Sequence, residues 1–155
     1  MKKIISLLLV ATALFGIMCM PGEAAENVAP VVLKVNGFEE REVISVNYGF
    51  HQATDVQGQI SGNPRMNTIV IRVKAASSYK QELLSWKLDL TTPRDAEIVF
   101  SNTIDGSVMK TIKLHQTYCV RYTEYWRDGE GYYEEIELSS KEYINGNVEF
   151  KRNWK

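Results

Sequence analysis

The sequence contains little cysteine and little histidine, and neither sign of charge is in surplus. Its 155 residues include two cysteines, two histidines and four prolines, and 18 basic residues face 19 acidic ones. Two cysteines exclude a domain built on several disulfides, and two histidines exclude a three-histidine zinc site. The formal net charge of −1 argues against nucleic acid as a partner, because binding to phosphates requires a basic surplus.

Recognisable catalytic motifs are also missing from the sequence. It contains no His-Glu-x-x-His motif, no glycine loop of the phosphate-binding kind and no nucleophile-elbow pattern. His115 and Cys119 lie on one predicted strand, and four residues of strand separate them by about 13 Å. That distance is too long for a thiolate–imidazole pair. We therefore predict a protein that is not an enzyme and uses no cofactor or metal.

The N-terminus has the features of a secretory signal peptide. Lys2 and Lys3 precede residues 4–20, which form a run of 17 residues without a charge, and small residues follow. The best cleavage site lies after Ala24, because Gly22 and Ala24 then occupy the −3 and −1 positions. The sequence therefore predicts export and removal of the leader.

Two other interpretations of the leader stay open. Cys19 could be lipidated, although Met18 stands where a small residue is expected. The apolar run could also remain as an anchor, since 17 residues just reach the spanning length of about 17–25. Cleavage of residues 1–24 would leave residues 25–155 as a single domain with a net charge of −2 and no stable membrane span. Cys119 would then be its only thiol.

Alternation of apolar and polar residues with period two dominates the rest of the chain and predicts strands with one buried face. The predicted buried sets are Val31, Leu33 and Val35; Ile44, Val46, Tyr48 and Phe50; Ile69, Ile71 and Val73; Ile112, Leu114, Gln116, Tyr118, Val120 and Tyr122; and Tyr132, Ile136 and Leu138. Asp-Gly or Asn-Gly pairs at 105–106, 128–129 and 145–146 are typical of hairpin turns. Residues 95–152 are therefore predicted to form a four-stranded antiparallel meander.

One segment has a helical pattern instead. Ser78 and Gln81 form a capping-box pair ahead of several helix formers, and Pro93 follows where a helix would stop. We predict a single short helix over residues 78–88. Three apolar side chains are predicted to anchor it, namely Leu83, Leu84 and Trp86.

The segment from Ala53 to Asn67 is predicted to be a loop. It contains Gly58, Gly62 and Pro64 and shows no regular apolar pattern. A loop of about fifteen residues is long for a compact domain and indicates either disorder or a functional role.

Aromatic residues gather around one predicted hairpin. They are Tyr118, Tyr122, Tyr125, Trp126, Tyr132 and Tyr133. Core packing or subunit contacts would explain them, because aromatic side chains dominate both. They also support an alternative function, an exported monomeric β-barrel that binds a ligand or partner through this hairpin.

The order of these elements carries a family resemblance. The resembling segments are VISVNYGFHQATDVQG at 43–58, Ser61, TIVIRV at 68–73, ELLSW at 82–86, DAEIVF at 95–100, MKTIKL at 109–114 and YCVRY at 118–122. Together they span residues 33–152. In this order the chain resembles the hemolysin-coregulated protein (Hcp) family, the inner-tube proteins of type VI secretion systems, particularly the form found in Bacteroidetes.

The resemblance implies a mainly β fold, a small antiparallel barrel of two packed sheets with one flanking helix. It implies a structural subunit that forms homo-hexameric rings, which stack into a tube inside a sheath and carry effector proteins. The family's long loop between its second and third strands reaches toward the neighbouring ring. By this resemblance the candidate ring-stacking residues are Thr54, Asp55, Gly58, Ser61 and Arg65.

The leader departs from the family pattern. Tube subunits assemble in the cytoplasm and leave through the secretion machine, so they need no signal peptide. Three explanations are open: an exported paralogue with another task, a variant system, or a misassigned start codon with cytoplasmic assembly. We expect a real leader, which places the protein in the periplasm or outside the cell.

Overall fold

The computed structural model describes residues 30–76, 80–129 and 131–154. In chain order the elements are β1 Val31–Val35, β2 Arg41–Asn47, β3 Phe50–His51, β4 Arg65–Met66, β5 Ile69–Lys74, α1 Glu82–Leu88, β6 Arg94–Ser101, β7 Val108–Arg127, β8 Gly131–Asn145 and β9 Val148–Lys151. The predicted signal peptide, its cleavage site after Ala24 and Cys19 lie outside the described residues.

Six strands close into an antiparallel barrel. Their order is β5-β2-β1-β6-β7-β8, and β5 pairs with β8 to complete the circle. Strand β9 extends the sheet beyond β8, and β3 pairs with β4 as a separate two-stranded sheet. The predicted fold class is confirmed, and the predicted meander is the run from β6 to β9.

The strand directions give the barrel two different ends. All the pairings are antiparallel, so β2, β6 and β8 run in the same direction. The β2–β5, β6–β7 and β8–β9 connections therefore all lie at the end where these three strands finish. The first of these connections carries β3 and β4, which we call the arm (residues 50–66), so this is the arm end. The opposite end holds the β1–β2 turn, α1 and the β7–β8 turn, and we call it the helix end.

The core fills the barrel with aliphatic side chains. Those with no exposed area are Leu33, Ile69, Ile71, Val73, Ile98, Ile112, Leu114, Ile136 and Leu138. All were predicted or lie on a predicted strand with the same alternation, because one face of each strand is inside the barrel. The buried faces predicted for β1 and β5 are therefore confirmed. On β8 the prediction is right for Ile136 and Leu138, but Tyr132, predicted to be buried with them, is 40% exposed.

Helix α1 is shorter than the sequence predicts. It begins at Glu82 with Gln81 at the N-cap position and no side-chain capping hydrogen bond, and Ser78 lies outside the described residues. Leu83 and Trp86 are buried as predicted, and Leu84 is only half-buried. Within the described ranges no helix is long and apolar enough to cross a membrane.

The face predicted for the start of β2 is wrong. A register shift lies between Val43 and Ser45, so Val43 is buried and Ile44 is 53% exposed. A bulge inserts one residue into a strand, and every side chain on one side of it changes face.

The face predicted for the middle of β7 is also wrong. Gln116 has a φ of 49°, and the alternation inverts there, so that Thr117 and Cys119 are buried and Val120 is 44% exposed. The Asp95 carboxylate accepts a hydrogen bond from the Gln116 backbone N–H (3.0 Å) and so satisfies a donor that the strand ladder loses at this bulge.

Candidate functional site

The predicted loop is a hairpin. Beyond the β3–β4 pair, a bridge joins Thr54 to Ile60, and the Ser61 N–H donates to the Ala53 carbonyl over 2.9 Å. The loop predicted over residues 53–67 is therefore in the right place, but its backbone is largely paired. The five predicted stacking residues all lie on this one hairpin.

Asp55 and Gly58 shape the tip of the arm. The Asp55 carboxylate accepts hydrogen bonds from the backbone N–H groups of Gln57 (3.0 Å) and Gln59 (2.8 Å). Gly58 has a φ of +80°, where a side chain would be strained, and its N–H donates to the Asp55 carbonyl. These two residues therefore hold the turn together.

Two apolar side chains project from the tip. Val56 is 96% exposed and Ile60 is 69% exposed. Neither was among the predicted site residues, although an apolar residue within a polar, glycine-containing loop is a signal that could have indicated them. Thr54, Ser61 and Arg65 are also exposed, and Arg65 lies on β4 opposite His51.

Aromatic packing holds the outgoing strand of the arm against the barrel. The Phe50 ring lies edge-on to Tyr143 and Phe150, with centroid distances of 5.2 Å and 5.3 Å. Such edge-to-face pairs are favourable because the positive ring edge meets the negative ring face. The start of the arm is therefore fixed to β8 and β9.

Arg152 holds the returning strand. Its guanidinium donates to the carbonyls of Met66 (2.5 Å) and Asn67 (3.2 Å) and to the Ser139 hydroxyl (3.1 Å). Burial lowers the pKa of Arg152 from its ordinary value. A groove of about 690 Å³ lies between residues 63–66 of the arm and residues 149–154.

The helix end contains a buried polar cluster. Arg41 and Glu134 form an ion pair with both side chains almost fully buried, and Arg41 also donates to the Lys74 carbonyl at 2.9 Å. The Tyr122 hydroxyl lies 2.8 Å from Glu134 and 2.6 Å from Glu124. Burial is the main cause that lowers the pKa of Arg41 and raises that of Tyr122.

The aromatic hairpin between β7 and β8 is partly exposed. Trp126 and Tyr132 are opposite each other and are 72% and 40% exposed. At the neighbouring positions the rings of Tyr125 and Tyr133 stack with their centroids 4.9 Å apart. The Arg72 guanidinium lies within 6 Å of both centroids. Part of this predicted cluster therefore packs on itself, and part faces solvent.

The groups with catalytic potential are not arranged for nucleophilic chemistry. The Cys119 thiol is buried, donates to the Arg121 carbonyl and has a pKa raised by burial to about 12. His115 pairs instead with Asp95, at 3.1 Å. Among residues 30–76, 80–129 and 131–154, no three histidine, cysteine or acidic side chains are placed to hold a metal.

Comparison with solved structures finds the same fold in several proteins. Hcp1 from Flavobacterium johnsoniae superposes with a TM-score of 0.73 at 26% identity, over 79% of this chain and 98% of that one. A mutant Hcp1 from E. coli EAEC 042 gives 0.67 at 19% identity, over 81% and 99%. A type VI secretion system effector from Yersinia pestis gives 0.61 at 15% identity, over 79% and 99%. At under 25% identity these last two likenesses concern the fold alone.

The family comparison covers more of the chain. No curated protein matches the sequence. The model of the family described as "Hemolysin coregulated protein Hcp (TssD)" matches residues 29–155, which include every residue that the structure describes. The chain therefore belongs to the hemolysin-coregulated protein Hcp (TssD) family.

Proposed function

We propose that this chain is a non-enzymatic structural subunit of a type VI secretion tube. In this proposal six copies close into a ring, rings stack within a sheath, and effector proteins are carried in the lumen. The observation that carries it is the family match over residues 29–155 together with the closed barrel and its projecting arm.

Stacking of identical rings is a head-to-tail contact, which requires two different surfaces at opposite ends of the subunit. The two ends of this barrel offer such surfaces. At the arm end Val56 and Ile60 are exposed, and at the helix end Leu88 and Leu90 are 71% and 82% exposed. Exposed apolar side chains at both ends support stacking.

Within the arm we assign two kinds of role to the predicted residues. Asp55 and Gly58 shape the tip through the hydrogen bonds of its turn, and Thr54 stands at the bridge below it. Ser61 and Arg65 are the exposed polar residues that face the neighbouring ring. Val56 and Ile60 supply the apolar part of the contact with the neighbouring ring.

The ring is tested by light scattering on residues 25–155 after size exclusion. We expect a particle of six chains at micromolar concentration, because a tube subunit must first close a ring. A strict monomer at high concentration would overturn the ring proposal. The same protein imaged in an electron microscope would show whether the rings stack.

We also propose that the leader is genuine and that the protein is exported. The basic start, the uncharged run and the small residues Gly22 and Ala24 support a cleaved signal peptide. Export places the assembled protein in the periplasm or outside the cell. An exported protein with the tube fold is then compatible with ring formation away from a cytoplasmic baseplate.

A second candidate function rests on the aromatic hairpin. Trp126 and Tyr132 are exposed side by side, and a monomeric exported barrel could use them to bind a ligand or partner. In that case Trp126→Ala combined with Tyr132→Ala should abolish binding and leave the thermal unfolding temperature unchanged. This candidate would be excluded if the double variant formed rings as well as the wild type and bound the ligand or partner equally well.

A further inference from the structure

The last described residues of the chain pack across the base of the arm. After β9 the Arg152 N–H donates to the Lys141 carbonyl (2.8 Å), which continues the pairing with β8 by one residue. Trp154 then lies on the Tyr118 ring, with a centroid distance of 5.6 Å. We call residues 152–154 the C-terminal clasp.

The Arg152 side chain contacts two other segments of the chain. Two of its contacts, to the carbonyls of Met66 and Asn67, lie where the arm returns to the barrel, and the third is to Ser139 on β8. The Asn67 N–H in turn donates to the Gly49 carbonyl, at 2.9 Å, on the outgoing side. The guanidinium is therefore bonded to the residues that close the base of the hairpin.

The aromatic contacts of the arm with the barrel lie on the outgoing side, where Phe50 packs on Tyr143 and Phe150. On the returning side the Met66 side chain is buried in the core. Side-chain packing at these two points still lets the hairpin rotate about the line that joins them. Two backbone carbonyls bonded to a planar guanidinium prevent this, because both the distance and the direction of the returning strand are then set.

We propose that Arg152 is the positioning residue of the arm and that the C-terminal clasp sets the direction in which the arm projects from the barrel. The effect on stacking rests on the proposed function, since it requires that the arm contact the next ring. The effect on the arm itself requires only the contacts described above. Trp154 supports Arg152 by holding the end of the clasp against β7.

Hydrogen exchange measured by mass spectrometry on the full chain tests the clasp. In Arg152→Ala, peptides covering residues 49–67 should exchange roughly tenfold faster, because two carbonyls at the base of the arm lose a charged donor. Peptides covering β5 should keep their exchange rates. Lys151→Ala is the matched control, since Lys151 pairs with Glu142 and Glu149 and not with the arm.

A conservative variant separates positioning from general stability. In Arg152→Lys one ammonium replaces the planar guanidinium, so the exchange of the arm should lie between that of the wild type and that of Arg152→Ala. Should Arg152→Ala fail to fold, Trp154→Ala tests the same clasp from a more exposed position. Arm exchange equal to wild type in the folded variants would overturn the proposal.

Electron microscopy of the same samples separates the clasp from the proposed function. Tubes from wild type and single rings from Arg152→Ala, with a faster-exchanging arm, support both. Tubes from both proteins despite a faster-exchanging arm would overturn the role of arm direction in stacking. Wild-type protein that forms no tubes would overturn the stacking proposal, and the exchange rates would still decide whether Arg152 positions the arm.

Discussion

Arg41 and Glu134 place two opposite charges inside the helix end of the barrel. Removing both charges from water is costly, and their attraction offsets that cost only where further hydrogen bonds complete the site. Here the Lys74 carbonyl and the Tyr122 hydroxyl supply those bonds. The cluster therefore joins β2, β5, β7 and β8 at one point, next to the β5–β8 pairing that closes the barrel.

Trp86 is the largest fully buried side chain and contacts Phe38 edge-on, at 6.1 Å. Trp86→Ala should lower the free energy of unfolding by about 3–5 kcal/mol, because it removes buried area and leaves a cavity. Leu88→Ala on the same helix is the control and should change it by less than about 0.5 kcal/mol, since Leu88 is exposed. Urea denaturation measures both variants. A loss below about 1 kcal/mol for Trp86→Ala would show that the helix is not anchored by this residue.

At the scale of single elements, the arm differs from the other connections of the barrel. It has its own strand pairing, and its tip carries two exposed apolar side chains, whereas the β6–β7 turn carries one, Ile104. Exposed apolar side chains on a projecting hairpin are typical of contact surfaces. The other connection of similar length carries α1, which fills the helix end of the barrel.

The tip of the arm is tested by the double variant Val56→Ser and Ile60→Ser. We expect single rings but no tubes, because in the proposed tube Val56 and Ile60 contact the next ring. The polar substitutes would remove that contact and leave the barrel unchanged. Gln57→Ser, also on the tip, is the control and should form tubes. Electron microscopy and light scattering measure stacking and ring formation separately. Tubes that persist in the double variant would contradict the stacking role of these side chains.

At the scale of the whole molecule, the exposed faces of the barrel carry balanced charge. Lysines and arginines pair with acidic residues across neighbouring strands, as in the pairs of Arg72 with Glu135 and of Arg121 with Glu137. Exposed pairs of this kind contribute little to stability. They do leave the surface without a strong field of one sign, so identical subunits can approach one another without strong repulsion.

The leader is tested by N-terminal sequencing of the protein isolated from its native cells. We expect the mature chain to begin at Ala25, because the small residues Gly22 and Ala24 suit the site of cleavage. Replacing Ala24 with a bulky residue should block processing, and the same change at Val28 is the control. A native chain that begins at Met1 or near Met20 would contradict removal of the leader at this site.

The sequence by itself determined the local elements. Period-two alternation located the strands and most of their buried faces, and the turn pairs separated the four strands of the meander, because both signals depend on neighbouring residues. It also located the arm and the anchoring role of Trp86. The bulges in β2 and β7 could not be predicted, because counting alternate residues does not detect an inserted residue. In β7 the N–H of the bulged residue is satisfied by Asp95, which lies on another strand.

The tertiary structure alone decided how those elements meet. Closure of the barrel depends on the β5–β8 pairing, and the arm is held by Arg152, which is 85 and 86 residues away from the carbonyls it contacts. Such contacts leave no pattern in a single sequence, because either partner alone is compatible with many environments. The low cysteine content and the balanced charge follow the same division. The sequence excluded a fold built on several disulfides and argued against nucleic acid as a partner, and the packing of the barrel determined which surfaces stay exposed.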